Sequence, residues 1–393
     1  MTEPLADPLW RNATDLCCDL QRGTIAATTL MENVYARITA LNPRLNALVD
    51  MMPQEQAMAL AATADAVPIA ERGPLHGLPM APKDAVAVKG FSTSWGYPGF
   101  SGNVETKDDE LARRLREAGA IFIGHSNMPE FGLGSHTFNK LYGHTYNPWD
   151  LSKTPGGSSG GAAVALAADM LPLADGSDLG GSLRNPASFC NVVGFRPSIG
   201  RMPFSRGFGW YGRMVTTGPM AKNVRDTILL FSVMAGPYGS DPLTLADPGT
   251  TFLDALEPLE SSDLGRLRIG FSKDLGGLPI DPEVTEITAT AAAAMERIGA
   301  TVVESSPDLK DAMEVFQVQR AAGLRLLAKR LENTDPNWRD TIKETARWNI
   351  EKGLALTADE LMNAELKRSA LYSRVAEYFE HYDALIIPAA QVP

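Results

Sequence analysis

Two glycine-rich clusters with embedded serines constrain this chain more than any other feature. They are Thr154-Pro155-Gly156-Gly157-Ser158-Ser159-Gly160-Gly161 and Gly176-Ser177-Asp178-Leu179-Gly180-Gly181-Ser182-Leu183-Arg184. Gly-Gly pairs ahead of a serine let the backbone approach a ligand and turn several N–H groups into one concavity. An oxyanion hole needs such a concavity, with donors aimed where negative charge develops. One cluster alone reads as a flexible surface loop. Two clusters, separated by the apolar stretch Ala162 to Ala174, predict a helix–strand hairpin that brings Ser158 and Ser182 together.

A third segment, Gly77-Leu78-Pro79-Met80-Ala81-Pro82-Lys83-Asp84-Ala85-Val86-Ala87-Val88, reads as a strand. Its alternation puts Lys83 on a face with Ala81, Ala85 and Ala87, and turns Asp84 away. A lone lysine is ordinarily a solvated charge. Among small side chains it becomes a candidate base, because burial lowers the pKa of an amine.

These three segments together resemble the amidase signature family. Further similarity runs through Leu41-Asn42-Pro43-Arg44-Leu45-Asn46-Ala47, Ser126-Asn127-Met128-Pro129-Glu130-Phe131, Asn147-Pro148-Trp149 and Gly218-Pro219-Met220-Ala221. The resemblance implies a Ser–cis-Ser–Lys triad: Ser182 as the acylated nucleophile, Ser158 bridging on a cis peptide, and Lys83 as the base. It also implies an oxyanion hole from the N–H groups of Leu179, Gly180, Gly181 and Ser182. The carbonyl near Gly132 and the Ser158 side chain would help hold substrate. Asp178 and Arg184 would fix the loop. The implied activity is hydrolysis of amide C–N bonds, with aryl amides and carbamates as candidate substrates, by way of an acyl-enzyme. The implied fold is α/β, a central mixed β-sheet surrounded by helices in one large domain.

Two departures stand out. Ser177 sits where threonine is common in the family. The Gly-Leu-Pro segment, closing strand and helix that the resemblance calls for near the end are not found before Pro393.

Three other readings compete. Gly156-Gly157-Ser158-Ser159-Gly160 matches the G-x-S-x-G elbow of α/β-hydrolases, which needs a histidine after the serine; only His381 follows it. Gly207-Phe208-Gly209-Trp210-Tyr211-Gly212 matches a dinucleotide fingerprint but precedes an extended Gly-Pro segment rather than a helix. A glutamine-hydrolysing subunit of a transamidation complex is the third. The run Arg201-Met202-Pro203-Phe204-Ser205 does not resemble that branch of the family.

Helix-period patterns cover Thr28 to Leu41, Asp108 to Ala118, Asn223 to Ala235, Pro282 to Ile298 and Thr357 to Tyr382. Strand-like runs cover Ala120 to Ile123, Leu267 to Phe271, Thr301 to Val303 and Ala384 to Ile387. Length alone allows two or three domains in 393 residues. Motif order instead suggests one domain over 1–393, with a signature core at about 70–235 and a helical, cap-like region at 236–380 on the same sheet. A net charge of −11 disfavours nucleic acid and anionic membrane as partners. No apolar run reaches membrane length, and no signal-peptide pattern opens the chain, so the cytoplasm is the expected compartment. The three cysteines show no disulfide or metal-ligand spacing, and neither cofactor nor metal is expected. The expected partner is a small-molecule amide or carbamate, bound by a monomer or homodimer. Trp95, Tyr97, Phe131, Phe208, Trp210 and Tyr211 are the candidate pocket aromatics.

Overall fold

Helical periodicity governs much of the computed structural model, which describes residues 11–204, 214–257 and 261–393. The fold is mixed α/β. The chain divides into two compact units, Met1–Leu256 with Leu331–Arg347, and Glu257–Arg330 with Trp348–Pro393.

The first unit opens with helices α1 (Ala13–Arg22) and α2 (Ala27–Leu45). The α2 helix buries Leu30, Met31, Val34 and Ile38, the three- and four-residue spacing of an amphipathic face. Neither helix supplies its own side-chain cap. Distant carboxylates do so instead. Asp226 accepts from Ala13 N–H, Thr14 N–H and Thr14 Oγ1 at 2.9, 2.8 and 2.7 Å. Asp65 does the same for Ala27 N–H, Thr28 N–H and Thr28 Oγ1 at 2.6, 3.1 and 2.7 Å. These bonds satisfy N–H groups that a helix start leaves without partners.

Strand β1 (Leu48–Val49), helix α3 (Gln54–Asp65), strand β2 (Pro79–Met80), helix α4 (Glu110–Glu117) and strands β3 (Ile121–Phe122) and β4 (His125–Ser126) follow. β2 pairs with β3 in parallel, and β1 with β4 antiparallel. Next come the antiparallel pair β5 (Phe138–Asn139) and β6 (Gly143–His144), then helix α5 (Gly160–Ala167) and strand β7 (Ala174–Asp178). This is the predicted helix–strand hairpin. Helix α6 (Arg184–Cys190), strands β8 (Val193–Gly194) and β9 (Thr216–Ala221) and helix α7 (Val224–Met234) complete the sequence up to that point. β9 runs between β7 and β8, antiparallel to both, with Asp175 opposite Pro219 and Asp178 opposite Thr216. Gly160 through Leu166 are buried, so α5 is a core helix on every face.

The second unit holds a parallel sheet of its own in the order β11-β10-β12, built from β10 (Arg268–Phe271), β11 (Thr301–Glu304) and β12 (Ala384–Ile386). Helix α8 (Ser261–Leu264) precedes β10, and α9 (Pro282–Arg297) forms the crossover to β11. Asp281 caps α9 through Glu283 N–H at 2.9 Å, and Pro282 occupies its first turn. Helices α10 (Ala312–Thr334) and α12 (Glu344–Ala355) each cross a unit boundary, and α11 (Trp338–Thr341) lies in the segment belonging to the first unit. The α13 helix (Ala358–Phe379) begins on a capping box between Thr357 and Glu360.

Two expectations are corrected. The strand over Gly77 to Val88 ends at Met80, because the chain turns at Lys83, whose carbonyl accepts from Ala85 N–H at 2.6 Å and Val86 N–H at 2.8 Å. Period-two alternation therefore does not orient Lys83; a single bridge pairs it with Ser126. The region 236–380, expected to share the core's sheet, carries strands that form a separate one. Its β10 pairs with β11 on one side and with β12 on the other, while 331–347 belongs to the first unit.

Candidate active site

Lys83 is 1% exposed, and its amine touches three hydroxyls. Nζ lies 2.7 Å from Ser158 Oγ, 2.9 Å from Ser159 Oγ and 3.0 Å from Ser177 Oγ. Burial pushes its pKa down to about 7, against the opposing pull of Asp175 and Asp178. Near neutrality much of the amine is then neutral, with two N–H donors and one lone pair. Ser159 Oγ donates its own proton toward the Ser177 carbonyl at 3.3 Å, so it can only accept from Lys83. Ser158, at the shortest distance, is the hydroxyl best placed to donate into the lone pair.

The three partners arrive from two elements. Ser158 precedes α5, on a cis Gly157–Ser158 peptide. Ser159 is the N-cap residue of α5, and Ser177 stands on β7. Glycines of the first cluster are required by close packing. A Cβ on Gly161 would stand 2.3 Å from Asn127 N and 2.5 Å from the Ala47 carbonyl oxygen, and one on Gly160 would lie 2.1 Å from Thr137 Oγ1. They let α5 begin against neighbouring backbone, which sets where Ser158 sits.

The loop after β7 is organised by Asp178, whose side chain is fully buried. Its carboxylate accepts from Gly181 N–H at 2.8 Å, Leu183 N–H at 3.2 Å, Arg184 Nε at 3.0 Å and Arg196 at 3.1 Å. Burial disfavours its charge, but the arginines and N–H donors outweigh this and hold the pKa below the usual carboxylate value. Ser182 is half-buried in that loop, and its carbonyl accepts from Ser159 N–H at 3.2 Å, which ties the two clusters together. Gly181 departs from its expected role, since its N–H is committed to Asp178. Among the described residues, the N–H groups of Leu179, Gly180 and Ser182 are not taken by protein acceptors. Gly132 lies beside Ser158, where a Cβ built on it would stand 3.5 Å from Ser158 Oγ.

Several expectations change at this scale. The nucleophile-elbow reading would place a histidine at Ser158, yet Lys83 holds that position. Tyr97 and Phe131, expected as pocket walls, are buried in a ring cluster with Phe100 at centroid distances of 5.2 to 5.9 Å. Phe208, Trp210 and Tyr211, and the Gly207–Gly212 run they belong to, lie outside the described residues. Sequence reasoning missed Ser159 and Asp175 as neighbours of Lys83 and counted Ser177 only as a departure. The doubled serine in the first cluster was the one available signal.

Residues 29–393 match the sequence profile of the Amidase family. The chain is 32% identical to an acylamidase of Rhodococcus erythropolis over 96% of its own length and 79% of the relative's. It is 31% identical to a glutamyl-tRNA(Gln) amidotransferase subunit of Lysinibacillus sphaericus, over 98% and 82% of the two chains. Among solved structures, 6-aminohexanoate cyclic dimer hydrolase with its substrate superposes with a TM-score of 0.86 at 26% identity, covering 95% and 78%. A bacterial aryl acylamidase of the amidase signature family gives 0.84 at 25% identity, covering 96% and 79%.

Proposed function

We infer the function from one premise: this chain belongs to the amidase family. It is an enzyme that hydrolyses amide C–N bonds. Within that activity, our reading is an acyl-enzyme route on Ser182, relayed through Ser158 to Lys83. The observation that carries it is the 2.7 Å contact between Lys83 Nζ and Ser158 Oγ, buried so that the amine's pKa falls to about 7.

A serine hydroxyl is a poor nucleophile until a neighbour takes its proton. In this reading Lys83 Nζ accepts the Ser158 proton and Ser158 accepts that of Ser182. Ser182 Oγ then adds to the substrate carbonyl carbon. The N–H groups of Leu179, Gly180 and Ser182 meet the oxyanion as it forms. On collapse, the proton returns through Ser158 to the departing nitrogen, the amine leaves, and Ser182 remains acylated. Water, deprotonated along the same relay, adds to the ester, releases the acid and restores Ser182. Gly132 and Ser158 would flank the bound amide.

An aryl amide is the substrate class we favour, because an acylamidase relative and an aryl acylamidase structure both align along nearly the whole chain. Carbamates fall within the same chemistry. The reading also takes the enzyme as a cytoplasmic monomer or homodimer that does not bind nucleic acid; the net charge of −11 supports the last of these. Among the described residues no helix is long and apolar enough to cross a membrane. A panel of anilide, primary amide, ester and carbamate substrates, each with a Ser182→Ala control, tests the proposal. Anilide turnover is expected to lead and to vanish in the variant; wild-type turnover by Ser182→Ala would overturn the acyl-enzyme.

A second reading has an observation of its own: the glutamyl-tRNA(Gln) amidotransferase relative aligns over 98% of this chain. It predicts glutaminase activity that rises when partner subunits are added, whereas the first predicts full activity alone.

A further inference from the structure

Strand β7 lays one face along Lys83, and the two residues on that face differ in chemistry. Alternation puts Asp175 and Ser177 together. Ser177 Oγ meets the amine, while the Asp175 carboxyl receives the Lys83 backbone N–H at 3.3 and 3.4 Å. Asp175 is 1% exposed, and its cross-strand neighbour on β9 is Pro219, which has no N–H to offer. The carboxyl thus sits against the Lys83 backbone, in a dry environment where charges act strongly on each other.

We propose that Asp175 is a positioning residue for Lys83: it docks the lysine backbone on β7, and its charge keeps the amine basic enough to act as a base at neutral pH. This rests on the reading of Lys83 as the terminal base. Burial alone drives an amine toward weak basicity, and a base loses efficiency once its proton affinity falls far below the working pH. A nearby carboxylate opposes that drift. Burial also raises the pKa of Asp175, to about 7, so its charge builds up over the same pH range in which Lys83 loses its proton and is full only above it. Ser177 beside it supplies an acceptor but no charge.

The other charged groups around the pair are accounted for. Asp178 sits on the opposite face of β7, tied to Arg184 and Arg196. Asp109, the N-cap residue of α4, repels the Asp175 charge from a distance. Asp84 is turned to Ser94 and Gly96, and His125 on β4 bonds the Pro82 carbonyl through Nδ1 at 2.9 Å. An Asp175→Asn change leaves all of these in place.

The experiment is the pH profile of kcat/KM on an anilide for wild type, Asp175→Asn and Ser182→Ala. Activity needs neutral Lys83, so turnover falls on the acid side as Lys83 gains a proton. Removing the carboxylate lowers the amine's proton affinity, so the acid limb in Asp175→Asn is expected to move down by about one pH unit, with a lower plateau. An acid limb at the wild-type pH, whatever the plateau height, overturns the proposal, because mere docking would not move it. Should Asp175→Asn not fold, Asp175→Ser, which keeps an acceptor oxygen without charge, carries the same comparison. Wild-type turnover by Ser182→Ala would instead sink the acyl-enzyme relay in which Lys83 is the base, so the two failures are told apart.

Discussion

A buried amine ringed by hydroxyls works as a base only while neutral, so burial sets the pH at which this chain is active. With Lys83 pushed down to about 7, kcat/KM is expected to rise with pH and level off above about 7. A solvated lysine would put that limb some three units higher. Stopped assays between pH 5 and 10 read it directly, and a limb near 10 would sink the neutral-lysine relay. Lys83→Ala should lower kcat by about 10² to 10⁴-fold, the usual worth of a positioned general base. Lys83, Ser158 and Ser182 were legible as candidates in the sequence because the glycines and serines around them form unusual, ordered motifs. Asp175 was not, because nothing in a strand-like run marks which residue will face a lysine brought in from far along the chain. Gly181 was legible as a loop residue, but the direction of its N–H depends on Asp178 folding back over it.

Among the secondary-structure elements, the helices were read most closely. Residues expected over Thr28 to Leu41 and Asn223 to Ala235 form α2 and α7, because apolar side chains at helical spacing have one face to bury. The strand expected around Lys83 failed because an alternating pattern cannot register the turn at Lys83 that follows Pro82. How α1 and α2 begin was hidden as well, since their capping carboxylates lie far away in sequence. That arrangement gives a prediction. Asp226→Ala strips three hydrogen bonds from the start of α1 and leaves two buried N–H groups unpaired. It should destabilise the fold by about 2–4 kcal/mol. Chemical denaturation would show this as a lower midpoint, and kcat should stay within about threefold of wild type, because α1 carries none of the proposed catalytic groups. Unchanged stability would mean that water replaces the carboxylate at little cost.

At the scale of the whole chain, the candidate catalytic groups all precede Leu256, yet the unit that holds them also needs residues 331–347. Nothing in the residue pattern signalled this return. Residues 331–347 look like ordinary helix and loop, and their partners lie more than two hundred positions away. Trp338 is fully buried there. Asp335 accepts from Tyr97 Oη at 2.6 Å, and Thr341 Oγ1 bonds the same hydroxyl at 2.7 Å. Lys343 donates its backbone N–H to Glu130 at 2.5 Å and its amine to the Leu133 carbonyl at 3.1 Å, so it grips both sides of Gly132. A fragment ending at Leu256 would therefore leave the Tyr97 hydroxyl, the buried Glu130 carboxyl and the Gly132 loop without these partners. It is expected to be inactive and unstable despite containing Lys83, Ser158 and Ser182. In the full chain, Trp338→Ala should cost about 3–5 kcal/mol, the range for deleting a large buried ring. Glu130→Ala should weaken kcat more than stability, because it frees the loop that carries Gly132. Thermal melts and anilide kinetics on these two variants separate support of the core from support of the site. If the fragment alone turned over substrate at the wild-type rate, the returning segment would have no part in holding the catalytic groups.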